Sequence, residues 1–247
     1  LMLTEKSEKK HKILEKKVLC SATKISVTSP STKIDFEKIT NRPIAVITNG
    51  FDVEDVSKTL LDEKFTLAHI GSFLSERNPR ILWKALKELV KEEPGFASDF
   101  RLKLIGKISQ DVLDSIAEYK LSKYVDNLGY VSHQEAIMHQ RKSQVLLLIE
   151  IDSEETRCII PGKLFEYMVS ERPIIAIGPK ASDFEMILKE TNTGTFFGYD
   201  EKKRLKTTIL AHYSLYKQSN LKVYPVGLQH YSRKNLTQQL VNFINET

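Results

Sequence analysis

Cysteine is scarce in this chain. The only two in 247 residues, Cys20 and Cys158, lie far apart, which argues against a disulfide framework and suits a reducing, cytoplasmic setting. No apolar run approaches the length of a membrane span, and the opening residues do not read as a signal peptide. Neither an internal repeat nor a low-complexity segment is visible, so solenoids and disordered tracts are not indicated. The net charge of +5 is diffuse lysine, with no basic stripe interleaved with aromatics, which argues against nucleic acid and leaves phosphates or anionic lipid as partners. What is present is ordinary for a chain that buries a core, with 41% hydrophobic and 28% charged residues.

The first 50 residues read as helix, strand, helix, strand. Ile13, Leu14, Val18 and Leu19 give the first helix its apolar spacing, and 22–28 alternates as a short strand. Ser29-Pro30-Ser31 opens a second helix, and 44–48 is a buried strand closed by Asn49-Gly50. From Phe65 a regular rhythm sets in. Strands are predicted at 65–70, 101–105, 125–128, 144–149, 173–177 and 195–198, with helices at 80–91, 110–119, 132–142, 163–170, 182–190, 201–217 and 232–244. Ser132 with Glu135 forms a capping box, Ser182 with Glu185 is read the same way, and Gly194 is read as a helix stop. Strand–helix alternation with short connections predicts an α/β fold, a Rossmann-like parallel sheet with helices on both faces. Ligands then bind at the carboxyl ends of the strands, in the loops after Ile70, Ile105, Leu128, Ile149 and Ile177.

One stretch carries the clearest chemistry, C-I-I-P-G-K-L-F-E-Y-M-V-S-E-R-P-I-I-A-I-G from Cys158 to Gly178. Pro161-Gly162 leads into a helix, so its first amides can face a ligand without a bulky side chain in the way. Lys163 stands in the first turn and Glu166 three residues on, along the same face. Free amides and a cation form an anion site, and the carboxylate behind them can accept from the paired hydroxyls of a ribose. These features describe a seat for a nucleoside diphosphate.

K-L-F-E-Y-M-V-S-E-R-P-I-I-A-I resembles the donor-site signature of GT-B glycosyltransferases, in particular glycosyltransferase family 4. The resemblance implies one half of a GT-B architecture. In it Pro161, Gly162, Lys163, Leu164 and Glu166 bind the donor, with Glu166 on the ribose. It also implies that the Gly71 loop holds two cations for the departing diphosphate, five positions apart; Ser72 departs from that pattern and Arg77 matches it. Arg77 and Lys163 are therefore the expected catalytic groups, through electrostatic help to the leaving group. Gly129-Tyr130-Val131 resembles the family's turn against the donor base. Family 4 enzymes have two glutamates eight positions apart on either side of this loop, and Cys158 stands where the first would be. No metal or other cofactor is expected beyond the nucleoside-diphosphate sugar itself. The acid run Glu150-Ile151-Asp152 with Glu154-Glu155 is read as solvated rather than metal-binding, and His133 as a solvated first-turn histidine.

The expected organisation is a remnant of the acceptor-side domain and linker at 1–55, a nucleotide-sugar-binding domain at 56–230, and a C-terminal amphipathic helix at 231–247 packing back toward the N-terminal segment. The resemblance leaves most of the preceding domain of a GT-B enzyme unaccounted for, so the expectation is a fragment, a truncated form or a degenerate gene product. Such a chain is expected to bind a nucleotide-sugar donor while turning over little, with a saccharide or lipid-linked acceptor. A peripheral contact with an anionic membrane through the basic N-terminal segment or the 201–217 helix is a further expectation. An inactive scaffold of the same fold is the competing reading, and a GT-B epimerase a weaker third.

Overall fold

The structure, a computed structural model, describes residues 4–52 and 59–246. The boundary expected between 55 and 56 lies outside the described residues.

The N-terminal segment comprises helix α1 (Glu5–Ser21), strand β1 (Ile25–Val27), helix α2 (Pro30–Glu37) and strand β2 (Ile44–Val46). Thr4 caps α1 by accepting from the Ser7 amide. Ser29 caps α2 through the Thr32 amide, with Pro30 in the first turn, where its missing N–H costs nothing. β1 and β2 run parallel, Ile25 opposite Ile44. Their shared core is small, built on Leu19, Ile25, Val27 and Ile44.

The main unit runs β3 (Phe65–Ile70), α3 (Arg80–Glu92), α4 (Phe96–Asp99), β4 (Phe100–Ile105), α5 (Gln110–Glu118), β5 (Val125–Gly129), α6 (His133–Lys142), β6 (Val145–Ile149), α7 (Lys163–Met168), β7 (Ile174–Ile177), α8 (Asp183–Thr191), β8 (Gly194–Phe197), α9 (Lys202–Lys217) and α10 (Arg233–Asn245). Among the described residues its strands form one parallel sheet in the order β5-β4-β3-β6-β7-β8. β3, β6 and β7 are buried along their full length, as a sheet covered on both faces demands. On one face Phe65, Trp83, Phe96 and Phe100 pack with Tyr213 of α9, and on the other Leu164, Phe165 and Tyr167 of α7 pack with Phe184 of α8. β3 and β6 adjoin where the strand order reverses, the position at which such sheets open a ligand crevice.

Besides shorter strands at β1 and β2, the structure departs from the sequence pattern around α4 and α8. The short α4 was not foreseen. Gly194 does not stop a helix: Asn192 ends α8 in the left-handed conformation at φ 51°, and Gly194 opens β8, where a Cβ would lie 2.3 Å from the Ile174 carbonyl oxygen. Ser182 makes no capping bond; Glu185 instead accepts from the Ala181 amide, which a φ of 59° turns toward it. The capping box of Ser132 and Glu135 does form, and Ser132 caps α6.

α10 returns to the N-terminal segment. The Arg233 amide donates to the Phe51 carbonyl at 2.9 Å, and Arg233 pairs with Asp52 at 2.6 Å. The Lys24 ammonium donates to the carbonyls of Phe243, Ile244 and Glu246, which a helix C-terminus leaves without backbone partners. Asp183 of α8 accepts from the Ser31 amide at 3.1 Å and its hydroxyl at 2.9 Å, tying α2 to the main unit. Among the described residues no helix is long and apolar enough to cross a membrane.

Candidate active site

The loops after β3, β4, β5 and β6 converge at one rim of the sheet. Gly71 and Gly106 follow β3 and β4 with φ of 119° and 114°, a region that disfavours side chains. They stack so closely that a Cβ on Gly106 would meet the Gly71 carbonyl oxygen at 2.6 Å, and one on Gly71 would meet the Lys163 amine at 2.8 Å. Tyr167 pins α7 to this rim, its hydroxyl accepting from the Ile70 amide at 3.0 Å and donating to the Ile70 carbonyl at 3.3 Å. The Gly71 turn and the start of α7 are therefore held together before any ligand arrives.

α7 is a six-residue helix, two residues shorter than its sequence pattern suggests, so its dipole is a weak source of anion affinity. The Leu164 amide already donates to the Pro161 carbonyl at 2.9 Å, and the Leu164 side chain is buried. Among the described residues the amides of Gly162 and Lys163 have no acceptor, and the exposed Gly162 would leave open space even around an added Cβ. Glu166 faces inward across α7. It lines a cavity of about 370 Å³ with Gly162, Thr48, Asn49, Gly50 and Arg233, and a second of about 150 Å³ with His133, Gln140 and Arg233. Gln140 donates to one Glu166 oxygen at 2.8 Å, orienting the carboxylate and leaving its other oxygen available.

Arg77 spans the switch point. Its Nε and Nη2 donate to the two Glu150 oxygens at 3.0 and 3.3 Å, and the Glu150 side chain is 2% exposed while that of Arg77 is 25% exposed. Glu150 is thus not the solvated acid of the sequence reading: it is the partner of Arg77 and also accepts from the Ile151 amide at 3.0 Å. The bidentate edge of Arg77 is committed to that carboxylate, so Nη1 is the group it can turn toward an anion. Lys163 lies between these charges. Burial first, then the Arg77 cation, push its amine down to about 8.

The remaining predicted residues scatter. Ser72 is exposed, and its carbonyl lies 3.4 Å from His69 Nε2. Gly129 accepts the Gly106 amide at 2.6 Å and Val131 packs on the α7 face of the core, but the Tyr130 ring is 92% exposed and lines neither cavity. Cys158 is half-buried, its thiol donating to the Glu155 carbonyl at 3.5 Å. Among the described residues no three His, Cys, Asp or Glu side chains are gathered closely enough to hold a metal ion.

Three contributors escaped the sequence reading. His133 is exposed, as its first-turn position suggests, and also lines the smaller cavity. Arg233 lines both cavities, brought there by the return of α10, and no local motif announces it. His69 is fully buried beneath the site and was hidden in an apolar strand as one more core residue.

The model of the family described as glycosyl transferases group 1 matches residues 64–237. No curated protein matches the chain in sequence. Among solved structures the chain is similar to TarM, at 16% identity and a TM-score of 0.64, over 96% of this chain and 46% of that one. It is also similar to sucrose-phosphate synthase from Thermosynechococcus elongatus, at 15% identity and a TM-score of 0.65, over 98% and 63%. HepE from Anabaena, solved with UDP-glucose, matches at 16% identity and a TM-score of 0.63, over 90% and 64%. The chain therefore spans less than two thirds of each of these proteins, and at such identities the likeness concerns the fold.

Proposed function

The chain belongs to the glycosyl transferases group 1 family, and from that premise we propose that it is the donor-binding part of an enzyme that transfers sugar from a nucleoside-diphosphate sugar. The observation that carries this reading is the inward aim of Glu166 beside the unclaimed amides at the start of α7. In this arrangement the diphosphate lies over the Gly162 and Lys163 amides. Arg77 Nη1 and the Lys163 amine meet its charge. The free oxygen of Glu166 accepts from a ribose hydroxyl. As the bond to the sugar breaks, negative charge builds on the diphosphate, and cations already in place stabilise it without rearrangement. The cations in this reading are side chains, and no metal takes part. HepE, solved with UDP-glucose, and TarM, solved with UDP, support a nucleotide-sugar donor. The acceptor, a saccharide or lipid-linked sugar, approaches across the N-terminal segment, whose lysine-rich α1 is the surface fitted to anionic lipid.

The scaffold reading has specific support in the exposed Ser72 where a cation is expected and in the capture of Arg77 by Glu150. Calorimetric titration with UDP, GDP and dTDP separates the two. Binding of one of them, weakened about 100-fold in Glu166→Ala through loss of charge-assisted bonds, is expected. Silence from all three assigns the chain to the scaffold class.

A further inference from the structure

His69 sits at the centre of the rim, on the strand next to the switch point, with no solvent exposure. Its ring packs against that of Phe73, 4.4 Å away at 36°. Nδ1 is 3.2 Å from the Leu147 carbonyl of β6, while Nε2 is 3.4 Å from the Ser72 carbonyl and 3.5 Å from the Lys163 amine. A neutral imidazole has one N–H and one lone pair. With the proton on Nδ1, the ring donates to Leu147 and turns a lone pair toward an amine that needs an acceptor. With the proton on Nε2, it can donate to the Ser72 carbonyl but faces the ammonium with a donor, and Nδ1 is left opposite a carbonyl it cannot bond. The first tautomer satisfies more partners.

We propose that His69 is a positioning residue for the nucleotide seat: its Nε2 lone pair holds the Lys163 amine under the Gly71 turn, aimed at the place where a diphosphate lies. This rests on the nucleotide reading above and extends it to a residue outside the cavity. Three features make the arrangement specific. The amine is threaded past Gly71, where any side chain would collide with it. An ammonium has three donors, so one given to His69 leaves two for phosphate oxygens. The charged and titratable groups facing Lys163 are Arg77 from the loop after β3, Glu150 from the end of β6, Glu166 from its own helix, and His69 from β3. Burial and the adjacent Lys163 charge hold His69 well below the usual histidine range, so it is neutral while Lys163 carries the proton.

The test uses the full chain with UDP as probe and two variants, His69→Leu, which removes the acceptor, and His69→Gln, which restores one. UDP affinity of the unaltered protein is expected to decline as pH rises past about 8. In His69→Leu that midpoint moves to lower pH and affinity at neutral pH falls about tenfold, the weight of one charge-assisted hydrogen bond; His69→Gln recovers most of both. A His69→Leu protein with unchanged midpoint and affinity overturns the proposal. Nitrogen NMR of the unaltered protein tests the same contact independently, without any variant. The Nδ1–H tautomer is expected, and an Nε2–H tautomer overturns the assignment even if His69→Leu fails to fold. Absence of UDP binding in the unaltered protein overturns the nucleotide reading instead. In that case the NMR titration of the Lys163 amine in the ligand-free proteins still judges the His69 contact: a shift between unaltered protein and His69→Leu supports it, and identical curves reject it.

Discussion

The six-stranded unit and the two-stranded N-terminal segment are held together by different means. The large sheet buries aromatic rings on one face and the α7–α8 layer on the other, and β3, β6 and β7 have no exposed residue. The N-terminal pair of strands has a core of four buried side chains, each keeping a little exposure, while Ile13, Leu14, Val18 and Ile34 lie on its surface. A cluster that small cannot offset the chain entropy of ordering some fifty residues. It is completed by bonds to the large unit, through Asp183 to Ser31 and through Lys24 and Asp52 to α10. The difference bears on function, because the larger cavity has one wall from each part: Thr48 to Gly50 on one side, Gly162 and Glu166 on the other. The large unit supplies the charges, and the segment docked on it supplies the opposing wall.

The sharpest way to break this contrast is Trp83→Ala. The ring is fully buried in the aromatic face, with its N–H on Asn78 at 2.7 Å, and its removal is expected to cost about 4 kcal/mol in urea unfolding and to take the whole molecule down. Lys163→Met should act in the opposite direction. Depression of the amine from 10.5 to about 8 corresponds to roughly 3 kcal/mol against the charged form. Because the folded-state value is the lower one, the unfolded chain holds more protons between those limits, and stability rises with pH across that window. The methionine variant is therefore expected to gain about 2 kcal/mol at neutral pH, a gain that vanishes above about 10.5, while UDP affinity drops. A destabilised Lys163→Met would contradict the picture of a costly, functional charge. The mildest perturbation is Asp183→Ala, expected to cost about 1.5 kcal/mol through its lost bonds to Ser31. Its mark should be local: hydrogen exchange should quicken in 25–46 and stay slow in β3 and β6. Equal loss of protection in both would show that the two parts do not differ in independence.

Much of this was legible from residues alone. Apolar runs such as V-L-L-L-I announce a strand buried on both faces, and strand–helix alternation leaves a parallel sheet as the only economical arrangement. The glycine turn at Gly71 and the short cation–acid spacing of Lys163 and Glu166 are also local features that the residues show, whereas the part assigned to the Gly71 loop rested on the family resemblance. Ser182 and Gly194 misled because a cap and a stop depend on backbone angles at their neighbours, Ala181 and Asn192, which local composition does not reveal.

The chain's own order of residues determined the main elements, the sheet and the Lys163–Glu166 spacing at the start of α7, because those follow from periodicity and from which groups lie within a turn of each other. Only the tertiary structure decided that Glu150 takes the edge of Arg77, that His69 faces Lys163 across 94 positions of chain, and that α10 brings Arg233 to the cavities. Charges pair by distance in space, and the switch between β3 and β6 places side by side groups that no short window of sequence contains.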